Sequence, residues 1–190
     1  MNRRFDPRTL AFLGMMTALV FASNYARIIM PIAIGGRTSF TLANIVCVLS
    51  GLLLGPIGGL ASGPGSERDD LTNPLYAAEC WITFLTKGVM GLVAGLLVRR
   101  QAREGELSYA RCLVGAVCGC LAYYVLYFAK SFFYDGLLVE GLQPGVALAA
   151  LPLKIPASVF NASVAIIAAP PLALALQAAL KRNGLTLRRA

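Results

Sequence analysis

The chain has 190 residues, 57% of them hydrophobic and 14% charged, with a mean hydropathy of +0.69. A soluble domain carries about 25% charged and 45–50% apolar residues, so the composition excludes an ordinary soluble fold and describes an integral membrane protein. Histidine is absent, which removes His-based acid–base catalysis and His-ligated metals or haem. The net charge of +8 is no nucleic-acid footprint, which would need a clustered basic face with stacking aromatics.

A bilayer-spanning helix needs about 20 apolar residues. Apolar runs fall at roughly 9–30, 40–55, 56–72, 78–98, 109–133 and 148–180. They predict an all-α fold, an integral membrane bundle of six transmembrane helices forming one domain over 1–190. Residues 1–30 have a basic start and an apolar run without a small-residue cleavage pattern, so the run reads as the first helix. The second is short. The third, GPIGGLASGPGSERDDL, is Gly-rich, holds Pro64 and ends in four consecutive charges, so it is expected to be short or irregular. Such backbone is tolerated at membrane depth only inside protein or along a cavity. The last run is too long for one straight helix, and Pro152, Pro156, Pro170 and Pro171 are expected to break or kink it.

Basic residues give the orientation. Arg3, Arg4 and Arg8 precede the first helix, Arg99, Arg100, Arg103 and Arg111 flank the connection between the fourth and fifth, and Lys181, Arg182, Arg188 and Arg189 end the chain. Six spans put all of these on one side, and the positive-inside rule makes that side cytoplasmic, with both termini there. The opposite loops hold Arg37, Asp135 and Glu140.

Small residues recur at spacing four. Ala18, Ala22 and Ala26 share a face of the first helix. Gly51, Gly55 and Gly59 bracket the second junction, Gly91 and Gly95 lie in the fourth helix, and Gly115 and Gly119 in the fifth. This spacing lets helix backbones approach closely. The glycines are expected to pack within the chain, and the alanine stripe is open to a second membrane protein. Cys47, Cys80, Cys112, Cys118 and Cys120 form no CxxC pair and read as buried thiols.

Ionisable groups inside a membrane point to function. Glu79, Thr83 and Lys87 follow at i, i+4 and i+8, beside the only tryptophan, Trp81. Lys87 lies about 13 Å along its helix, near mid-membrane. Tyr123, Tyr127, Lys130 and Tyr134 form a second stripe, and Lys154, Ser158 and Asn161 a third. Under the topology above, these polar members lie in the outer half of the bilayer. They are expected to converge on a cavity, with Arg37 and Asn73 closing its mouth. An internal network that fixes helix register is the alternative. Aromatics beside cations suit a flat heterocycle with an anionic or carbonyl group.

The run FTLANIVCVLSGLLLGPIGG, the Gly-Ser pair at 65–66, Asp70-Leu71, ITFLTKGVMGLVAGLL and the KIPASVFNASVAIIAAPPLALAL tail resemble the substrate-binding S component of energy-coupling factor (ECF) transporters. The resemblance covers roughly residues 10–180. It implies high-affinity binding of a vitamin or related micronutrient from outside the cell, in a pocket formed by the outer loops and helices four to six. It also implies association with a membrane coupling subunit and two cytoplasmic ATPase subunits, Ala18, Ala22 and Ala26 meeting the coupling subunit. No catalytic residue, metal or cofactor is expected, and no Walker motif is present. The chain departs from the family at Ala43, usually glycine, at Glu67 and Arg68, usually apolar, and at Pro64. Three lysines plus Arg37 favour a carboxylate or phosphate on the substrate, as in folate, pantothenate or nicotinate. Riboflavin or pyridoxine would rely more on the aromatics. Two other readings are a membrane enzyme using Glu67, Asp69 and Asp70 to bind a divalent metal, and a structural membrane subunit.

Overall fold

The computed structural model describes residues 7–25, 28–31, 37–63, 80–104 and 107–184. Expectations for Ala26, Pro64, Glu67, Arg68, Asp69, Asp70, Asn73 and Glu79 lie outside these residues. The architecture is a helical bundle, as the composition demands. Among the described residues three helical stretches are long and apolar enough to cross a membrane, Trp81–Arg99, Tyr109–Val139 and Pro144–Arg182, beside the shorter apolar helix Ala43–Leu54.

Helix α1 runs Pro7–Tyr25 and is followed by two short strands, β1 Ile28–Pro31 and β2 Arg37–Phe40. The strands pair antiparallel, Ile28 opposite Phe40 and Pro31 opposite Arg37. The sequence reading extends the first helix to residue 30. The structure ends it at Tyr25, and the apolar Ile-Ile-Met-Pro run goes into a hairpin strand instead. Its β-branched residues suit a pleated surface, and a proline is accommodated at a strand end.

Helix α2, Ala43–Leu54, starts where Thr41 Oγ1 accepts the Ala43 N–H at 3.1 Å. It stops at Gly55, whose φ of 76° needs a residue without a side chain. Helix α3, residues 56–63, then begins on Pro56, where a missing N–H costs nothing. Ser50 Oγ donates to the Gly58 carbonyl at 2.6 Å. In a straight helix residues eight apart are about 12 Å apart, so the chain reverses at Gly55 and α3 returns alongside α2.

Helix α4 is Cys80–Glu104 and α5 is Tyr109–Lys130. A nine-residue π-helix, Ser131–Val139, continues α5. After Gly141 (φ 61°) come α6, Pro144–Ala150, a 3₁₀ turn, Leu151–Lys154, and α7, Ile155–Arg182. The final apolar run is thus interrupted at Pro152 and Pro156, which sit at the starts of the 3₁₀ turn and α7. Pro170 and Pro171 lie inside α7 without ending it.

Helix α2 is the centre. It contacts α1, α4, α5 and α7, and its apolar side chains join Met16 and Val20 of α1, Met90, Ala94 and Val98 of α4, Cys112, Ala116 and Cys120 of α5, and Ala165, Ala169 and Ala173 of α7 in one core. The glycine stripes do pack within the chain. A Cβ on Gly91 would sit 2.6 Å from the Gly59 Cα and 3.0 Å from the Cys47 carbonyl oxygen, and one on Gly119 would sit 2.7 Å from the Met90 carbonyl oxygen. Cys47, Cys112 and Cys120 are buried thiols outside any disulfide.

Candidate binding site

One end of the bundle gathers the polar residues. The bond from Lys154 to Ser131 brings the start of α7 to the end of α5. At the other end the Leu107 N–H, just before α5, donates to Gln177 of α7. Bonds of Asn161, near the start of α7, to Ser39 and Thr41 place β2 at the first end.

The Lys154 ammonium is 1% exposed. It donates to Ser131 Oγ at 3.0 Å and to Asp135 Oδ2 at 3.2 Å, and Lys130 approaches the other carboxylate oxygen at 2.7 Å. The π-helix explains this grouping. Its hydrogen bonds run i to i+5, so one wide turn brings Asp135 back over Lys130, five residues earlier. In an α-helix the two would point about 140° apart. Sequence reasoning missed Asp135 and Ser131 for that reason: an α period assigns Asp135 to a loop. One carboxylate between two ammoniums leaves a net positive charge of one, so the lysines argue less for a multiply charged substrate than their number suggests.

Aromatic rings stand next to this charge. Tyr123 and Tyr127 stack with centroids 5.9 Å apart at 16°, and Tyr124 meets Tyr123 edge-on at 4.9 Å. Phe128 joins at 5.6 Å from Tyr127. The Lys154 ammonium lies 5.9 Å from the Tyr127 ring centre, and that of Lys130 lies 6.0 Å from Tyr134, at the limit of a cation–π contact. The Tyr123–Tyr127–Lys130–Tyr134 stripe and Lys154 are therefore brought together, with Tyr124 and Phe128 as additions that the i, i+4 pattern alone does not select.

Asn161 has a defined task. Its Oδ1 accepts the Thr41 N–H at 3.0 Å and its Nδ2 donates to the Ser39 carbonyl at 2.7 Å. Phe160 packs edge-on against Phe40 at 5.0 Å. One side chain of α7 thus clamps the end of β2 beside the aromatic cluster. Ser158 bonds back to the Lys154 carbonyl at 2.9 Å. Arg37 opens β2, and only its backbone is described.

Lys87 sits elsewhere. Its ammonium donates to Asn24 Oδ1 of α1 at 2.8 Å, and its carbonyl accepts Ser62 Oγ of α3 at 3.2 Å. It is buried, whereas Trp81 is 54% exposed, so the two do not share one surface. Asn24, a partner missed by sequence reasoning, offered no signal, because local spacing does not report a neighbour 63 residues away. On α1, Ala18 and Ala22 are exposed together with Gly14, while Met16 and Val20 face the core.

The arrangement can stack a flat ring, supply one positive charge and offer hydroxyl groups. Chain-wide similarity agrees with that chemistry. The sequence model described as "ECF-type riboflavin transporter, S component" matches residues 4–178 of the 190. A search of curated proteins finds no match. A membrane location and a role as a vitamin-uptake subunit follow from the family and the apolar helices. The chain belongs to the S component family of ECF-type riboflavin transporters.

Proposed function

We propose that the protein binds riboflavin with high affinity from outside the cell, as the substrate-specific subunit of an ATP-driven uptake transporter. The observation that carries this reading is the tyrosine wall of α5 standing against a buried, half-neutralised lysine pair, in a chain whose family is named for that vitamin. Riboflavin joins a flat tricyclic ring to a polyhydroxyl chain and has no carboxylate or phosphate. The ring stacks on Tyr123 and Tyr127. Lys130 and Lys154, held by Asp135, donate to ring or chain oxygens. Asn161 keeps the β1–β2 hairpin over the site. Arg37 and Asn73 are assigned to closing its mouth and Glu79 and Trp81 to one of its walls, and Lys87 supports it from the α1–α4 side.

The subunit does no chemistry of its own. Both termini lie in the cytoplasm, and Ala18 and Ala22, exposed on α1, meet the membrane coupling subunit, a role to which Ala26 is also assigned. Two cytoplasmic ATPase subunits supply the energy. The test is the flavin content of detergent-purified protein from cells grown in rich medium, followed by titration of the stripped protein with riboflavin. Stoichiometric flavin and saturable quenching of its fluorescence are expected. Protein that purifies empty and shows neither quenching nor a thermal shift with riboflavin overturns the reading.

A further inference from the structure

Two buried polar side chains next to the tyrosine wall are used by nothing described above. Asn44 of α2 is 1% exposed, and neither its Oδ1 nor its Nδ2 has a hydrogen-bond partner among the described residues. The Tyr124 hydroxyl of α5 is buried and equally without a partner. The two groups are close enough to interact, yet their approach closes no hydrogen bond of good geometry. Buried polar atoms in proteins are almost always paired. Three stranded atoms in one place need a cause.

Mutual pairing does not supply it. One bond between amide and hydroxyl would satisfy Tyr124 and a single atom of Asn44, and the second amide atom would still be stranded. Helix packing does not supply it either, since an apolar pair of similar size would fill the seam at lower cost. The location is informative. Tyr124 packs against both Tyr123 and Tyr127, at 4.9 and 6.2 Å. Asn44 follows Thr41, whose backbone Asn161 holds, by three residues. The stranded atoms therefore belong to a side chain of the aromatic cluster and to one three residues along the chain from the clamped end of the hairpin.

We propose that Asn44 and Tyr124 are the recognition edge of the vitamin site, and that they read a ring imide, an N–H flanked by two carbonyl oxygens. The assignment rests on the riboflavin reading above, and the flavin ring carries one such imide. Asn44 Oδ1 accepts the ring N–H, Asn44 Nδ2 donates to one neighbouring carbonyl, and the Tyr124 hydroxyl donates to the other. All three stranded atoms are then satisfied. A flat ring without this edge leaves them unpaired, so the same two residues reject it.

The test compares riboflavin with its N3-methyl derivative, which keeps the ring and chain but loses the imide hydrogen. Fluorescence titrations use the purified full-length protein, Asn44→Ala, Asn44→Leu and Tyr124→Phe. Wild type is expected to bind the methyl derivative roughly 10- to 100-fold more weakly than riboflavin. Both Asn44 variants are expected to lose a similar factor for riboflavin and to stop distinguishing the two flavins. Tyr124→Phe is expected to weaken both flavins about fivefold and to keep the distinction. Without ligand, Asn44→Leu is expected to melt at or above the wild-type temperature, because it removes a stranded amide. Wild type that binds both flavins equally, or Asn44 variants that keep wild-type affinity and selectivity, overturn the assignment and leave the riboflavin reading intact. An Asn44→Leu protein that melts far below wild type without ligand assigns Asn44 a packing role and overturns the assignment as well. Wild type that binds no flavin overturns both together.

Discussion

Two lysines are buried in the apolar helices, and they are held differently. Lys154 rests on a carboxylate and a hydroxyl, and Lys130 shares that carboxylate. The Lys87 ammonium donates to a neutral amide, Asn24. The first arrangement ties together α5, the π-helix and α7, which are close along the chain and already packed. The second reaches across 63 residues to tie α1 to α4. An ionic cluster thus fixes the shape of the candidate site, and an ammonium-to-amide hydrogen bond connects the site's bundle to the helix whose opposite face is exposed.

The largest expected effect breaks the ionic side. Asp135→Ala leaves Lys130 and Lys154 without their counter-charge, and removing one partner of a buried pair costs about 3–5 kcal/mol. A large fall in melting temperature in detergent is expected, together with loss of flavin binding. Adding Lys154→Met to Asp135→Ala should restore much of the stability, because the 1%-exposed Lys154 charge is then gone and only that of Lys130, 15% exposed, remains, but binding should stay lost. If Asp135→Ala melts like wild type, the cluster does not hold this end together.

Breaking the Lys87–Asn24 side should cost less. A hydrogen bond to a charged group contributes about 1.5–3 kcal/mol, so Asn24→Ala should lower the melting temperature modestly and change riboflavin affinity by no more than about twofold. Its expected consequence is on uptake by the assembled transporter. A collapse of affinity in Asn24→Ala would mean that Lys87 belongs to the site itself. The smallest effect on the isolated protein sharpens the contrast. Ala18→Leu adds bulk to the exposed face of α1. Melting and binding should stay at wild-type values, while co-purification with the coupling subunit should fall. Unchanged co-purification would remove the alanine stripe as the docking face.

Much of this was legible from local spacing. The glycines at spacing four were read as packing positions, and Gly59 and Gly91 do meet backbone to backbone. The tyrosine stripe and the Lys154-to-Asn161 spacing put the right residues on one side of their helices. What spacing cannot carry is a partner on another element, or a change in period. Local spacing does not bring Asn24 to Lys87 or Asn44 to Tyr124. Asp135 read as a loop acid because the π-helix alters which residues share a face. The hairpin was hidden because Ile28, Ile29 and Met30 extend the apolar run of α1, and only a pairing partner eight to twelve residues on makes them a strand. A further signal lies in α7, where Ala157, Asn161, Ala165, Ala169, Ala173 and Gln177, all buried, repeat every four residues. That row marks the face turned to α2 and α5.

The enclosure of α2 has a consequence for how the protein meets its solvent. Eleven of its twelve residues are buried, so its neighbours, not lipid, form its surroundings. At about 18 Å it is far shorter than the roughly 30 Å hydrocarbon layer. An exposed helix of that length would thin the bilayer around it or tilt its neighbours. Shielded on all sides, α2 feels no such mismatch. Bilayer thickness acts on the surrounding helices alone, and they can tilt about a core element that the membrane does not grip.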